Sequence, residues 1–209
     1  LIVDSESVTQ DIFELAQWCL SHPALTISHL LVMESPSTRR PSATEILRNT
    51  CFSALSWLES MLLKRTNLQP SSIGHMLDAI IPETVKFSIE TNGSGHVRTC
   101  SEHETSKIEK LQLDIMVMAG TGTLHGDIRK AAKFGIISPG FSDENDIRGG
   151  PTGFWEVFYK KDYTGFSVRQ SSGNTPGNND LVSGRITTQY YYSLNKIRIR
   201  QKCLHYMKE

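Results

Sequence analysis

The spacing of hydrophobic and polar positions predicts strands and helices that alternate along this chain. Residues 1–3 form a short apolar run, and Ser7-Val8-Thr9-Gln10 has the spacing of a capping box, the motif at which helices often begin. Apolar residues then recur at helical spacing as far as Cys19, and a β-rich run extends from Ile27 to Met33. A strand, a helix and a strand in this order predict neighbouring parallel strands joined by a right-handed crossover.

The next segments continue the alternation of element types. A second helix follows a Pro- and Arg-containing loop at 35–42, and we expect Trp57 to pack inside the protein. The apolar stripe of this helix, which we expect to face the core, consists of Ala54, Leu55, Leu58, Met61 and Leu62. A half-buried strand is predicted around Val85, Phe87 and Ile89, and a third helix is predicted after the capping-box spacing at 101–104.

The middle of the chain contains two apolar runs that predict adjacent strands. Leu113 to Ala119 is almost wholly apolar, which is typical of a central parallel strand covered on both faces. A glycine loop at 120–126 and a short helical stretch from Asp127 to Lys133 precede the second run, Phe134 to Ile137. In an open α/β sheet the loops at the carboxyl ends of the strands surround the ligand crevice, so the loops after Ala119 and Ile137 are the predicted site.

The last third of the chain contains fewer clear patterns. Pro151 is expected to begin a helix that carries Phe154 and Phe158. A strand is expected after it, because Phe166 and Val168 alternate with polar residues, and residues 171–179 are expected to form a loop. From Arg185 onward six cations face one acid. A phosphate or nucleic-acid patch and a solvated helix or edge strand both fit this tail, and the second interpretation needs fewer assumptions.

Composition restricts the classes of function. The 209 residues, 38% of them hydrophobic, fit a single domain over 1–209 in which 185–209 is a C-terminal extension. Equal numbers of basic and acidic residues, 22 of each, provide no field that would concentrate nucleic acid, which argues against a nucleic-acid partner. No apolar run approaches the roughly 20 residues of a membrane span, and the first residues lack signal-peptide character. Four widely separated cysteines indicate a reducing, cytoplasmic setting.

Three candidate sites can be compared at the level of residue spacing. The glycine loop follows a strand, but its Gly-x-Gly-x-x-x-Gly spacing is one residue longer than the dinucleotide-binding fingerprint. His96, Cys100 and His103 could contribute to a zinc site, although no fourth ligand is evident and we predict no metal. Ser138 comes directly after a predicted strand, where nucleophiles often lie, and His125 lies where the crevice is expected and could serve as an acid or base.

Three stretches of the sequence carry a likeness to a known family. They are Leu113-Asp114-Ile115-Met116-Val117-Met118-Ala119-Gly120-Thr121-Gly122-Thr123-Leu124, Phe134-Gly135-Ile136-Ile137-Ser138 and Arg148-Gly149-Gly150-Pro151-Thr152-Gly153-Phe154-Trp155-Glu156-Val157. Together they resemble the core of the formyltransferase family, and the third resembles the divergent branch with the Arg-Gly-Gly-Pro-x-Gly-Phe-Trp-Glu-Val run. The match extends to about Gly184.

The resemblance implies a fold, a formyl donor and an acceptor. The implied fold is an α/β, Rossmann-like three-layer sandwich with a mostly parallel sheet, and the implied donor is 10-formyltetrahydrofolate. The formyl group would pass to an amine of a small acceptor, for example a nucleotide-linked amino sugar. The implied donor-binding residues are Ala119, Gly120, Thr121, Gly122, Thr123 and Leu124, and the expected acceptor contacts are Asp143, Arg148 and Gly149.

The resemblance also identifies where the chemistry would take place. The family uses Asn, His and Asp, and the corresponding positions here hold Ser138, Gly140 and Pro176. Ser138 can still donate a hydrogen bond, while Asp180 and His125 are candidates to supply the missing acid–base groups. Two hypotheses follow: a formyltransferase with impaired turnover, and a noncatalytic module that keeps the fold to bind a folate, a nucleotide or a protein.

Overall fold

The computed structural model describes residues 1–5, 7–34, 43–63, 75–77, 79–91, 97–119, 123–141, 152–173 and 179–209. Its strands are β1 Ile2–Val3, β2 Ser7–Val8, β3 His29–Glu34, β4 His75–Met76, β5 Glu83–Thr91, β6 Val97–Cys100, β7 Met116–Val117, β8 Thr123–His125, β9 Ile136–Gly140, β10 Tyr163–Ser171 and β11 Asn179–Thr187. Its helices are α1 Gln10–Ser21, α2 Ala43–Leu63, α3 Glu102–Glu109, α4 Phe154–Phe158 and α5 Tyr192–Tyr206, with a 3-10 turn at Asp127–Lys130.

The strands form a mixed sheet in two parts. One part has the order β1-β3-β5-β6-β8, and the other has the order β11-β10-β9-β7. A parallel bridge between Ile2 and Met118 joins β1 to the end of β7, and the amide of Ala119 donates to the carbonyl of Ile2 at 2.9 Å. Most neighbours are parallel, while β6, β10 and β11 pair antiparallel with a neighbour. The α/β class with a mostly parallel sheet is confirmed.

The sheet is covered on both faces, as the three-layer prediction requires. Alternate residues of β3 enter different cores because successive side chains of a strand point to opposite faces. Leu30 and Val32 pack in the core that contains Ile12 of α1, whereas Leu31 and Met33 pack in the core that contains Ile108 of α3. Helices on both faces of a largely parallel sheet define the observed architecture.

The first strand–helix–strand unit confirms the predicted parallel crossover and corrects the start of its helix. Strands β1 and β3 are parallel, with Ile2 opposite Leu31. The predicted capping box at 7–10 is wrong, because Ser7–Val8 forms β2 and pairs with β4. Helix α1 begins after Thr9, whose hydroxyl donates to the carboxylate of Asp11 and makes no capping bond.

Helix α2 is turned the other way from the prediction. Trp57 is 60% exposed, and Leu58, Met61 and Leu62 are also exposed, so this stripe does not face the core. The buried side contains Glu59, whose carboxylate accepts hydrogen bonds from the amides of Tyr192 at 2.9 Å and Ser193 at 2.6 Å. These amides lie in the first turn of α5, where a carboxylate is favoured by the helix dipole. The bonds from Glu59 to the start of α5 therefore determine which face of α2 is buried. Hydrophobic periodicity alone could not predict that face.

The motif region 152–157 packs against α5 through a buried amide. The side chain of Asn195, which is fully buried, donates to the carbonyl of Gly153 at 2.9 Å and to the hydroxyl of Thr164 at 3.1 Å, and its oxygen accepts from the amide of Gln189 at 3.1 Å. Gly153 adopts the left-handed conformation at the start of α4. This part of the motif thus holds α4 against α5.

Three strand boundaries in the second half differ from the predictions, and the first is that of β7, which was expected over 113–119 but spans Met116–Val117. Strand β9 was expected at 134–137 but spans Ile136–Gly140, so Ser138 lies inside the strand, and Phe134 is 51% exposed. Strand β11 was not predicted, and its first residue lies in the expected loop at 171–179. The basic tail forms the end of this edge strand and helix α5, as the simpler interpretation expected. No helix among the described residues is long and apolar enough to cross a membrane.

We expect the buried thiol of Cys203 to make the protein less stable in alkali. Burial on α5 raises the pKa of Cys203 to about 12 from 9.0, and its sulfur lies 3.8 Å from the carbonyl oxygens of Gly140 and Ser167. Below pH 9 the thiol is protonated in both states. Between pH 9 and about 12 only the unfolded chain releases its proton, so the free energy of unfolding falls by up to about 1 kcal/mol per pH unit.

Urea denaturation of the wild type and of Cys203→Ala from about pH 8 to about pH 11 measures this contribution. The variant is expected to show the shallower decline, and Cys51→Ala, which alters an exposed cysteine, is expected to follow the wild type. Equal slopes for all three proteins would contradict the assignment.

Candidate active site at the ends of β7 and β9

The two strands on which the predicted site depends are adjacent and parallel. Met116 is opposite Ile136, Val117 is opposite Ile137, and the amide of Met118 donates to the carbonyl of Ile137 at 2.8 Å. The strand ends therefore lie side by side at one edge of the sheet. This confirms the predicted arrangement of the two apolar runs.

Ser138 occupies the first position of β9 beyond this pairing. It is 8% exposed and shares a face of β9 with Ile136 and Gly140, since side chains alternate along a strand. On the neighbouring strand β10, the residue directly opposite Ser138 is Arg169. The serine is thus a nearly buried hydroxyl beside a guanidinium-bearing position.

Arg169 links the predicted residues Ser138 and Asp180 across three strands. Asp180 of β11 is opposite Arg169 of β10, and the Nε of Arg169 donates to the Oδ1 of Asp180 at 2.8 Å. The side chains of Arg169 and Asp180 are 20% and 32% exposed. Two strand spacings separate Ser138 from Asp180, about 10 Å between their backbones. The three residues, which we call the polar row, lie across β9, β10 and β11.

The space next to Gly140 is already filled. A Cβ atom at this position would lie 2.3 Å from the Oγ of Ser167 and 3.1 Å and 3.3 Å from the Nε and Cζ of Arg169. Ser167 is directly opposite Gly140, and within the described structure its buried Oγ has no hydrogen-bond partner. The position that resembles the family's histidine therefore has no side chain of its own and lies under the side chains of β10.

His125 is not brought next to Ser138 by the strand order. It ends β8, at the far edge of the joined sheet from β11, with five strands between β8 and β9. Its side chain is exposed, and the neighbouring 3-10 turn carries an exposed ion pair in which the Nζ of Lys130 donates to Asp127 at 2.7 Å. That hydrogen bond lowers the pKa of Asp127. A catalytic role for His125 stays a prediction.

The residues expected to hold the formyl donor fall in different surroundings. Ala119 is half-buried against the α1 side of the sheet, and Leu124 is a core residue of β8 with 3% exposure. Thr123 lies in β8, opposite Val97 of β6. Contacts from Leu124 to a ligand would have to come from the backbone, because its side chain is in the core. Gly120, Thr121, Gly122, Asp143, Arg148, Gly149 and Pro176 lie outside the described residues.

The possible zinc ligands do not form a cluster in what the structure shows. His96 lies outside the described residues, and Cys100 is in β6, where burial raises the pKa of its thiol. Across the described segments no three His, Cys, Asp or Glu side chains are grouped as metal ligands.

Sequence reasoning overlooked Arg169 and Ser167. The signal was present in the alternation around Phe166 and Val168, which assigns Ser167 and Arg169 to the opposite face of the same strand. What was missing was the register, because only pairing with β9 shows that Arg169 lies opposite Ser138 and Ser167 opposite Gly140.

This chain is similar to known proteins in its structure but matches none of them by sequence. No protein-family model matches the sequence, and no curated protein matches it. Glycinamide ribonucleotide transformylase 1 from Symbiobacterium toebii is similar in structure, with a TM-score of 0.57 and 11% identity, over 99% of this chain and 82% of that one. The chain has the formyltransferase fold.

Two further structures share the formyltransferase fold with this chain. Phosphoribosylglycinamide formyltransferase from Bacillus halodurans matches with a TM-score of 0.50 and 13% identity, over 99% of this chain and 93% of that one. Glycinamide ribonucleotide transformylase 1 from Geobacillus kaustophilus matches with a TM-score of 0.50 and 16% identity, over 94% and 86% of the two chains. The likeness thus extends over nearly the whole of this chain.

We expect Gly140→Ala to destabilise the formyltransferase fold through Ser167. The new methyl group would overlap the hydroxyl of Ser167, which costs about 1–3 kcal/mol in a packed interior. Ser167→Ala alone is expected to be neutral or stabilising, because it removes a buried hydroxyl without a partner. The double variant should lose less than the sum of the single changes, as urea denaturation of all four proteins can measure. Additive losses would contradict the contact between these two positions.

Proposed function

We propose that this protein binds 10-formyltetrahydrofolate and transfers its formyl group to an amine of a small acceptor such as an amino sugar. The observation that carries the proposal is the polar row of Ser138, Arg169 and Asp180, which crosses β9, β10 and β11 next to the carboxyl end of β7 within a formyltransferase fold. In open α/β sheets this edge is where ligands bind. The names of the similar structures associate the fold with formyl transfer to glycinamide ribonucleotide.

The reaction sets definite requirements for such a site. Attack of an amine on the formyl carbon creates a negative oxygen and a positive nitrogen, so hydrogen-bond donors and a proton acceptor must converge there. Ser138 supplies a donor, and the carboxylate of Asp180 lies on the same row of the sheet. Removing one donor to such an oxygen typically costs about 100-fold to 1000-fold in rate, so we expect turnover below that of a site with Asn, His and Asp.

The proposal also includes a branch of the family and a cellular compartment. We assign the chain to the divergent formyltransferase branch with the Arg-Gly-Gly-Pro-x-Gly-Phe-Trp-Glu-Val run, because Gly153 and Phe154 of that run pack against α5. We place the protein in the cytoplasm, since Cys19, Cys51, Cys100 and Cys203 are free thiols.

A noncatalytic binding module is the second candidate function. It is favoured by Gly140, which offers no side-chain acid, base or donor, and by the ion pair that already binds the carboxylate of Asp180 to Arg169. Such a module would keep the edge of β7 and β9 for ligand binding alone. Its ligand would be a folate, a nucleotide or a protein partner.

Two measurements on the wild-type protein separate the candidates. Calorimetric titration with a folate analogue whose formyl group cannot be transferred tests binding. An assay with 10-formyltetrahydrofolate, and with glycinamide ribonucleotide or a nucleotide-linked amino sugar as acceptor, tests transfer. Binding with a formylated product supports the enzyme, binding without product supports the module, and absence of binding removes folate from both proposals.

A further inference from the structure

We propose that the guanidinium group of Arg169 stabilises the negative oxygen formed during formyl transfer and so replaces the side chain that Gly140 lacks. This inference rests on the proposed function. It assigns a catalytic residue that neither the sequence motifs nor the likeness to formyltransferases indicated. The three observations behind it are the register of β10, the position of the guanidinium over β9, and its ion pair with Asp180.

The register and the side-chain path place the cation over the site. The backbone of Arg169 is opposite Ser138, yet its Nε and Cζ lie 3.1 Å and 3.3 Å from the point where a Cβ of Gly140 would be. The side chain therefore runs along β9 from Ser138 toward Gly140. The guanidinium therefore lies next to the point at which a side chain of residue 140 would start.

The chemistry of formyl transfer needs a donor of this kind. The lone pair of the acceptor amine forms a bond to the formyl carbon, and the π electron pair of the carbonyl moves to its oxygen. The amine nitrogen then passes a proton to solvent water, the oxygen restores the carbonyl, and the bond from the formyl carbon to N10 breaks. N10 keeps the electron pair and takes up a proton from solvent water, so the protons balance and the products are a formamide and tetrahydrofolate.

Arg169 and Ser138 can act on the oxygen during this sequence without being consumed. A guanidinium stays protonated at all physiological pH values and carries five N–H donors, so it provides both charge and direction. The hydroxyl of Ser138, on the facing strand, provides a second donor. Both groups are held on strands, which keeps them fixed as charge develops on the oxygen.

Asp180 is a positioning residue in this arrangement. Its carboxylate accepts from the Nε of Arg169 at 2.8 Å, which fixes the plane of the guanidinium. The two side chains are 20% and 32% exposed, and the hydrogen bond joins residues that face each other on β10 and β11. The geometry thus gives Asp180 an orienting role.

Substitution of Arg169 tests the inference in the full-length protein. Arg169→Ala and Arg169→Lys are compared with Arg185→Ala, which removes an exposed arginine from the other end of the β10–β11 pair. Hydroxylamine serves as the acceptor because it is a small amine, and the rate without protein is subtracted. Binding of the nontransferable folate analogue is measured by calorimetry for each protein, and thermal unfolding shows that each is folded.

The inference predicts a loss in kcat. Arg169→Ala should lower kcat by about 100-fold to 1000-fold, with the Kd of the analogue changed by no more than about threefold. Methylguanidinium in solution should restore part of the kcat of Arg169→Ala and none for Arg185→Ala. Arg169→Lys should retain an intermediate kcat, because an ammonium keeps the charge but loses the planar array of donors.

Three results would overturn the inference. A kcat of Arg169→Ala close to that of the wild type would show that the guanidinium does not act on the oxygen. A weaker Kd with unchanged kcat would make Arg169 a ground-state binding residue. If Arg169→Ala fails to fold, a folded Arg169→Lys with the wild-type kcat would also show that the guanidinium does not act on the oxygen. Failure of the proposed function itself is seen separately, as absence of binding or transfer in the wild type.

Discussion

Gly135→Ala is expected to destabilise the protein by about 4 kcal/mol, the largest effect we predict for a single methyl group. Gly135 has a φ of 76°, and an added Cβ would lie 2.2 Å from the carbonyl oxygen of Ser171 and 2.9 Å from the Cα of Ser172. Both atoms belong to the backbone at the end of β10, so β9 and β10 would have to separate. The free energy of unfolding from urea denaturation measures the loss.

Gly126→Ala is the matched control for this substitution. Gly126 also has a positive φ, 90°, but no atom lies within 4 Å of its added Cβ. Its conformation is one that only glycine adopts readily, so the substitution carries a backbone cost of about 1–3 kcal/mol without a steric one. A loss for Gly135→Ala no greater than that for Gly126→Ala would contradict the close approach of β9 and β10.

Gly153→Ala is expected to cost about 3 kcal/mol by disturbing the contact between α4 and α5. Its added Cβ would lie 2.6 Å from the Cδ1 of Ile199 and 2.9 Å from the Nδ2 of Asn195, at a φ of 73°. Ile199 is fully buried, and the amide of Asn195 is held by its hydrogen bonds, so neither side chain can move freely. Thermal or urea unfolding gives the magnitude.

A double variant assigns the cost of Gly153→Ala to a particular atom. Ile199→Val removes Cδ1 and alone should cost about 0.5–1.5 kcal/mol. Because the overlap with Gly153→Ala then disappears, the double variant should be more stable than the sum of the single losses implies. If the losses in the free energy of unfolding of the two single variants add in the double variant, the Cδ1 methyl group of Ile199 is not the cause of the instability of Gly153→Ala.

The sequence was sufficient for the parts of the fold that local patterns determine. Two adjacent parallel strands could be predicted from the apolar runs around Met116 and Ile136. A strand that is buried on both faces has an almost continuous run of apolar residues, which is easy to recognise in a sequence. The capping serine Ser101 was also recognisable, and its hydroxyl accepts from the amide of Glu104 as expected. These features depend on neighbours in the sequence.

Features that depend on distant partners were not predictable in the same way. The face of α2 was misassigned because Glu59 caps a helix more than 130 residues later, a role that overrides the hydrophobic stripe at Trp57 and Leu58. Arg169 was overlooked because its importance comes from cross-strand register with Ser138 and Asp180. Register of antiparallel strands is set by pairing and turn geometry, which residue types alone do not specify.

The candidate site shows the same division. Ser138 and Asp180 could be named from the resemblance, and the structure brings them onto one row with Arg169 between them. His125 was named from its position within the glycine loop at 120–126, and the strand order leaves it on the outermost strand β8, with five strands between β8 and β9. The difference arises because β8 pairs with β6 and not with β9.

A crystal structure of this protein with the nontransferable folate analogue tests the central claim most directly. The account predicts that the analogue lies at the ends of β7 and β9, with its pterin ring near the backbone of Ala119. Its formyl oxygen should lie within hydrogen-bonding distance of Ser138 and Arg169, about 3 Å. An analogue bound elsewhere on the protein, or a formyl group turned away from these two residues, would contradict it.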